Sequence, residues 1–263
     1  MAFPNIIYGD YGDQRVVSTA KIGGLPLGQR MILPDGTEYR HSSAGSVAMV
    51  AAKLYEQQTY AAGTGNIKAI AVIAGSAVAG TRTMSITMSG TGAMTKDQYT
   101  DGFVFSAVST GTGGGFAYKV KSCSSAAAGS TSVLTLYEDI HVTIAGGTTT
   151  VGLRVNPQAR VELTTADTVS LGVLAGVSCA SAAASSYCWL LTRGVGTAFT
   201  DNTTTIVGVA ITASSTVAGA VGTVNLTAVD TGGNMVTKGN DVIGRCMSVA
   251  ASAGYGLFDF FIK

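Results

Sequence analysis

Leu25–Gln58, LPLGQRMILPDGTEYRHSSAGSVAMVAAKLYEQQ, sets two different periodicities side by side. Arg30 to Leu33 reads as a short strand. Pro34-Asp35-Gly36 is a turn, since proline presets φ and glycine accepts φ > 0. Thr37 to Arg40 alternates back as the return strand of a hairpin. Ser42-Ser43 then resembles a helix cap, and Val47, Val50, Ala51, Leu54 and Tyr55 fall at helical spacing. This spacing predicts one α-helix of about three turns. Almost everything after it reads as strand and turn.

Upstream, Met1 to Gly24 reads as an extended arm. Phe3, Pro4, Ile6, Ile7 and Tyr8 are apolar enough to dock on a surface, and Gly9-Asp10 and Gly12-Asp13 break the segment twice. The arm either adds a first strand to the chain's own sheet or reaches a neighbouring subunit. In the second case, deleting Met1 to Gly24 weakens attachment and leaves the β-body folded.

Downstream, Asn66 to Leu163 has period two with glycine punctuation. Thr83 to Met88 alternates polar and apolar as a half-buried strand does. Phe103 to Val108, Phe116 to Val120, Val133 to Tyr137, His141 to Ile144 and Thr149 to Val155 continue the series. Turn signals recur about every ten residues, the spacing of a sandwich or barrel. From about Thr164 a second β-rich region begins. Its strands are Ser186 to Gly194, Thr205 to Ile211, Val224 to Val229, Val242 to Met247 and Leu257 to Ile262. Trp189, the only tryptophan, is the expected core anchor there. The predicted fold is therefore mainly β, with sandwich- or barrel-like regions, an N-terminal arm, a hairpin and one short α-helix. The predicted divisions are residues 1–62, 63–163 and 164–263.

Composition narrows the function. The chain has 263 residues, a formal net charge of +1 and 12% charged residues, against roughly 25% in an average soluble domain. A nucleic-acid binder needs a basic footprint, and the Lys and Arg residues here are scattered. The opening MAFPNIIYGDYGDQRV lacks the basic and apolar regions of a secretory signal. Ile67 to Gly80 is too short and too interrupted to span a bilayer, which takes about 20 apolar residues. Cys123, Cys179, Cys188 and Cys246 lack zinc-ribbon spacing; Cys179 and Cys188 flank a small-residue loop, and free buried thiols are the expected state. Asn202-Thr203-Thr204 and Asn225-Leu226-Thr227 match the glycosylation pattern as chance matches in a Thr-rich chain.

Catalytic patterns are equally sparse. His41 and His141 have no second ligand at metal-binding spacing. Gly176-Val177-Ser178-Cys179-Ala180 misses the last glycine of a nucleophile elbow. Glu138 and Asp139 are adjacent, so in a strand they face opposite ways. Asp97 to Gly102 lacks the closing glutamate of a calcium loop and reads as a polar turn. Gly111 to Gly115 sits between strands, where it reads as a hairpin loop and not as a phosphate cradle. The expectation is a non-enzyme with no cofactor and no metal.

Three motifs carry a family resemblance. They are Leu27-Gly28-Gln29-Arg30-Met31-Ile32-Leu33-Pro34-Asp35-Gly36 running into Tyr39-Arg40, then Asp97 to Phe103 with Tyr118-Lys119-Val120, and Tyr187 to Gly194. Together they resemble structural proteins of tailed bacteriophages. The last hundred residues resemble capsid decoration (cement) proteins. The resemblance implies a virion protein on the capsid surface, made in the host cytoplasm. Its implied partner is the major capsid protein. A homotrimer would match a lattice three-fold, with no nucleic-acid or membrane partner. Phe3, Pro4, Ile6, Ile7 and Tyr8 are the expected partner-binding residues. The low charge suits an interface core, where charged residues are depleted. Competing readings are a tail, baseplate or fibre component, a major capsid protein, an unmarked hydrolase, or a carbohydrate-binding module using Tyr187, Tyr255 and Phe258.

Overall fold

The structure, a computed structural model, describes residues 6–58, 66–89, 93–106, 115–147, 149–166, 172–201, 205–224, 242–248 and 252–262. In chain order the first strands are β1 (Ile6–Tyr8), β2 (Arg30–Ile32), β3 (Glu38–Ser43) and β4 (Leu54–Gln57). Next come β5 (Asn66–Ile73), β6 (Thr83–Met88), β7 (Phe103–Ser106), β8 (Ala117–Cys123), β9 (Thr131–Leu136) and β10 (Thr150–Arg154). The last set is β11 (Val161–Leu163), β12 (Leu174–Ser178), β13 (Tyr187–Phe199), β14 (Ala210–Ala213), β15 (Val221–Thr223), β16 (Gly244–Ser248) and β17 (Tyr255–Phe261). The fold is mainly β, as the alternation predicts. The described helical residues are two single 3₁₀ turns, Asp13–Arg15 and Ile22–Gly24.

The chain divides into two units, Met1–Gln58 with Pro157–Lys263, and Thr59–Asn156 between them. The middle unit is thus inserted after β4, and the chain returns to pair β11 antiparallel with β4. Neighbouring exit and return points are what make an insertion tolerable. This division differs from three consecutive segments. The N-terminal hairpin and the C-terminal strands belong to one sheet, because β3 pairs with β13 from Tyr187↔Ser43 to Arg193↔Glu38.

That sheet of the first unit runs β1-β2-β3-β13-β17-β16-β14-β15, with β12, β4 and β11 branching from β13. An isolated parallel bridge, Thr200↔Val221, brings β15 back to the end of β13. The lock beside it is polar: Ser214 Oγ donates to the buried Asp201 carboxylate at 3.0 Å. Met31, Leu33, Tyr39, Leu54, Trp189 and Phe258 belong to one buried cluster. Met49, Tyr55, Cys188 and Leu190 belong to a second. The middle unit is a closed six-stranded barrel, β10-β5-β6-β9-β8-β7. Among the described residues, closure gives each of the six strands a partner on both sides.

The hairpin forms as expected. Leu33 N–H donates to Thr37 O, Gly36 takes φ +83°, and Thr37 N–H donates to Asp35 Oδ1 at 2.9 Å. That hydrogen bond holds the Asp35 carboxyl below its ordinary pKa. The predicted helix is absent. Ser42 and Ser43 continue β3, and their hydroxyls serve distant partners in place of a helix cap. Ser42 Oγ donates to Gln158 Oε1, and Ser43 Oγ accepts the Arg160 N–H at 2.9 Å. Gly45 allows Val161 O to approach within 3.1 Å of where a Cβ would stand. Val47 and Val50 face solvent while Leu54 and Tyr55 are buried as part of β4, so the five positions do not form one buried helical stripe. Gly, Ser and Val are also weak helix formers.

The arm from Ile6 onward lies on its own unit. β1 pairs parallel with β2. Ser18 and Tyr187 exchange two backbone hydrogen bonds, at 3.0 and 2.7 Å. Ile22 packs against the main core. Deleting Met1 to Gly24 is therefore expected to lower the melting temperature by about 5 °C or more. Circular dichroism melting checks this; an unchanged melt would restore the picture of a dispensable arm.

Other strand expectations shift. His141 to Ile144 is not a strand; Ile144 makes one isolated bridge to Ala77. Thr205 to Val209 precedes β14 as a turn, with Gly208 at φ +84°. Phe3, Pro4, Ala107, Val108, Gly111 to Gly114, Asn202 to Thr204 and Asn225 to Asn234 lie outside the described residues.

Candidate interaction surfaces

Of the five expected partner-binding residues, Ile6 and Ile7 are half-buried and Tyr8 is 81% exposed. β1 is the terminal strand of its sheet order, so Tyr8 stands at a sheet margin. Gly9 follows because Met31 Sδ fills the place of a Cβ, only 2.8 Å away.

A broader surface lies on the outer face of β13, β17 and β16. Inner positions of β17 (Phe258, Phe260) are buried, and the alternate ones face out. Registers Val195↔Asp259, Thr197↔Leu257 and Arg193↔Phe261 put these side chains on one face. Arg245↔Asp259 extends the face to β16, where Met247 is also exposed. Val195, Leu257, Phe261, Met247 and Tyr255 are thus apolar side chains held in solvent around an Arg193–Asp259–Arg245 centre. At one margin Phe199 meets Tyr255 edge-to-face at 5.4 Å, and Lys53 Nζ sits 3.2 Å from the Phe199 ring centre. Burial pushes the Lys53 pKa down. At the other margin the 35–37 turn and Arg193, Val195, Asp259 and Phe261 line an open cleft of about 410 Å³. Arg193 Nη1 lies 3.6 Å from Glu38 Oε1 across the β3–β13 pair.

Several titratable residues away from this face serve structural contacts. His41 is fully buried between Tyr187 and Trp189, with Nδ1 3.1 Å from Pro26 O. His141 is exposed in the other unit, 3.7 Å from Glu138. Asp139 instead pairs with Arg82 at 2.7 Å, so the adjacent carboxylates serve different partners. Buried Glu56 accepts backbone N–H groups of Thr165 and Gly172, each at 3.1 Å, and fixes the approach to β12. All four cysteines are free thiols. Burial pushes Cys179 up to about 11 and Cys188 up to about 12, so both are protonated and poorly nucleophilic at neutral pH. Asp97 and Asp101 accept from Thr100 and Tyr137, as a polar turn would have them. Among the described residues, no group of three or more His, Cys, Asp or Glu is placed to hold a metal. No helix among them is long and apolar enough to cross a membrane.

Of the aromatic residues read as sugar-binding candidates, Phe258 is fully buried, Tyr187 is half-buried against His41, and Tyr255 is 61% exposed. The β13–β17–β16 face was not legible in the sequence. Its members alternate with core residues, and only the strand register gathers them. No protein-family model, curated protein or solved structure matches this chain.

Proposed function

We propose that this chain is a structural virion protein that binds and stabilises a bacteriophage capsid shell, as decoration proteins do. Its partner is the major capsid protein, it acts as a homo-oligomer with a trimer favoured, and it resides on the capsid surface after synthesis in the host cytoplasm. Two things support the reading: the motif resemblance, and the outer face of β13, β17 and β16. The face carries the greater weight. It presents five exposed apolar side chains around an alternating charge centre on hydrogen-bonded strands, one of them 13 residues long. A rigid sheet of this kind loses little conformational entropy on docking. Its apolar positions supply the desolvated centre of an interface, with the charges fixing register. Tyr8 at the sheet margin supplies a second contact.

The double substitution Val195→Gln with Leu257→Gln tests this directly, because it removes the apolar surface without setting a like charge opposite Asp259. Both side chains point to solvent, so the melting temperature should hold. Affinity for shells stripped of the protein should fall at least ~10-fold, the equivalent of about 1.4 kcal/mol. Unchanged binding by cosedimentation would remove this face from the reading.

A further inference from the structure

The barrel unit carries a second surface that the capsid reading does not use. β10, β7, β8 and the end of β9 align one residue each in a row across the outer face. Arg154 pairs with Phe103, and Phe103 pairs with Lys119. Tyr137 N–H donates to Lys119 O, which places Tyr137 next in line. Cation and aromatic therefore alternate across four strands: Arg154, Phe103, Lys119, Tyr137. Phe103 is 39% and Tyr137 43% exposed, whereas their neighbours Val104 and Leu136 point inward and are fully buried. Strands lie about 4.8 Å apart, so the backbone positions of Phe103 and Tyr137 stand roughly 10 Å apart, about the span of two linked sugar rings, and so do those of Arg154 and Lys119.

The row is preorganised. Tyr137 donates its hydroxyl to the buried Asp101 carboxylate at 2.7 Å, which holds the ring in place. Burial and that carboxylate keep the phenol protonated. Lys119 Nζ lies 5.6 Å from the Tyr137 ring centre. Phe103 follows Gly102, whose missing Cβ lets the turn close onto Arg154 O. In the next row, the Phe105 ring lies on Gly152, where a Cβ would meet it at 2.2 Å. The aromatic strip is thus two rows deep.

We infer that this outer face of the barrel binds an acidic polysaccharide, with Phe103 and Tyr137 stacking on sugar rings and Lys119 and Arg154 receiving carboxylate or sulfate groups. Aromatic faces cover the apolar C–H face of a sugar ring, and ammonium and guanidinium groups make charge-assisted hydrogen bonds to its acidic substituents. A polyphosphate chain fits less well. The unit has six basic against four acidic side chains, and Glu138 and Asp139 follow Tyr137 at the end of the row. Nucleic-acid surfaces need a stronger basic field.

The test is titration calorimetry on the full chain with oligogalacturonate, chondroitin sulfate, a neutral cello-oligosaccharide and oligo-dT. Expected is binding of at least one acidic glycan that exceeds both the neutral sugar and oligo-dT and weakens with salt. Lys119→Gln and Phe103→Ser should each reduce it at least ~10-fold with an unchanged melt. Three results overturn the inference: no acidic glycan bound, oligo-dT bound in preference, or affinity untouched by both variants.

Discussion

Trp189→Ala is expected to cost about 3–5 kcal/mol, the range for emptying a large aromatic site in a packed core. Trp189 is 3% exposed and belongs to the cluster that joins β2, β3, β13 and β17. Its ring lies 5.3 Å from that of His41, the residue paired with it across β3 and β13. Truncation opens a cavity beside a buried imidazole, and the β3–β13 pair is what ties the N-terminal hairpin to the C-terminal strands. Trp189→Phe should lose clearly less, because it refills most of the volume. Urea unfolding followed by circular dichroism measures both. A loss below about 1 kcal/mol for the alanine variant would contradict the packing described here.

Gly102→Ala is expected to destabilise the barrel unit by about 3 kcal/mol, toward the upper end of overpacking costs. An added Cβ would stand 2.3 Å from Arg154 O, 3.0 Å from Tyr99 O and 3.2 Å from Asn156 N. All three are backbone atoms, so no rotamer change relieves the clash. Gly102 also donates to Tyr99 O and accepts from Val120 N–H, both at 2.9 Å. Displacing it strains β7, β8 and β10 together. Limited proteolysis within residues 59–156 should become faster while the first unit stays protected. Equal protection in wild type and variant would show that the turn yields more easily than this geometry allows.

Local patterning made the strands legible, and tertiary pairing decided the rest. Thr83 to Met88 alternates in sequence and forms β6 over the same residues. The strand read as ending at Gly194 runs on to Phe199. Gly194, at φ +101°, stands where β13 completes its pairing with β3 at Arg193 and continues along β17. Glycine there marks an irregularity inside a long strand, not its end. The helix failed because Ser42, Ser43 and Gly45 are committed to residues near 160, more than a hundred positions away. The insertion was hidden for the same reason, since β4 and β11 pair across it. Both surfaces depend on register. Leu257 and Val195, or Phe103 and Tyr137, are ordinary outward positions in sequence, and only pairing gathers them onto one surface.

On the proposed function, the chain binds a capsid shell in many copies. Its copy number per purified particle, by quantitative mass spectrometry against the major capsid protein, tests that most directly. Hundreds of copies in a simple ratio to the capsid protein is the expected result. A dozen or fewer, or none, would contradict it and move the protein to a tail or vertex, or out of the particle.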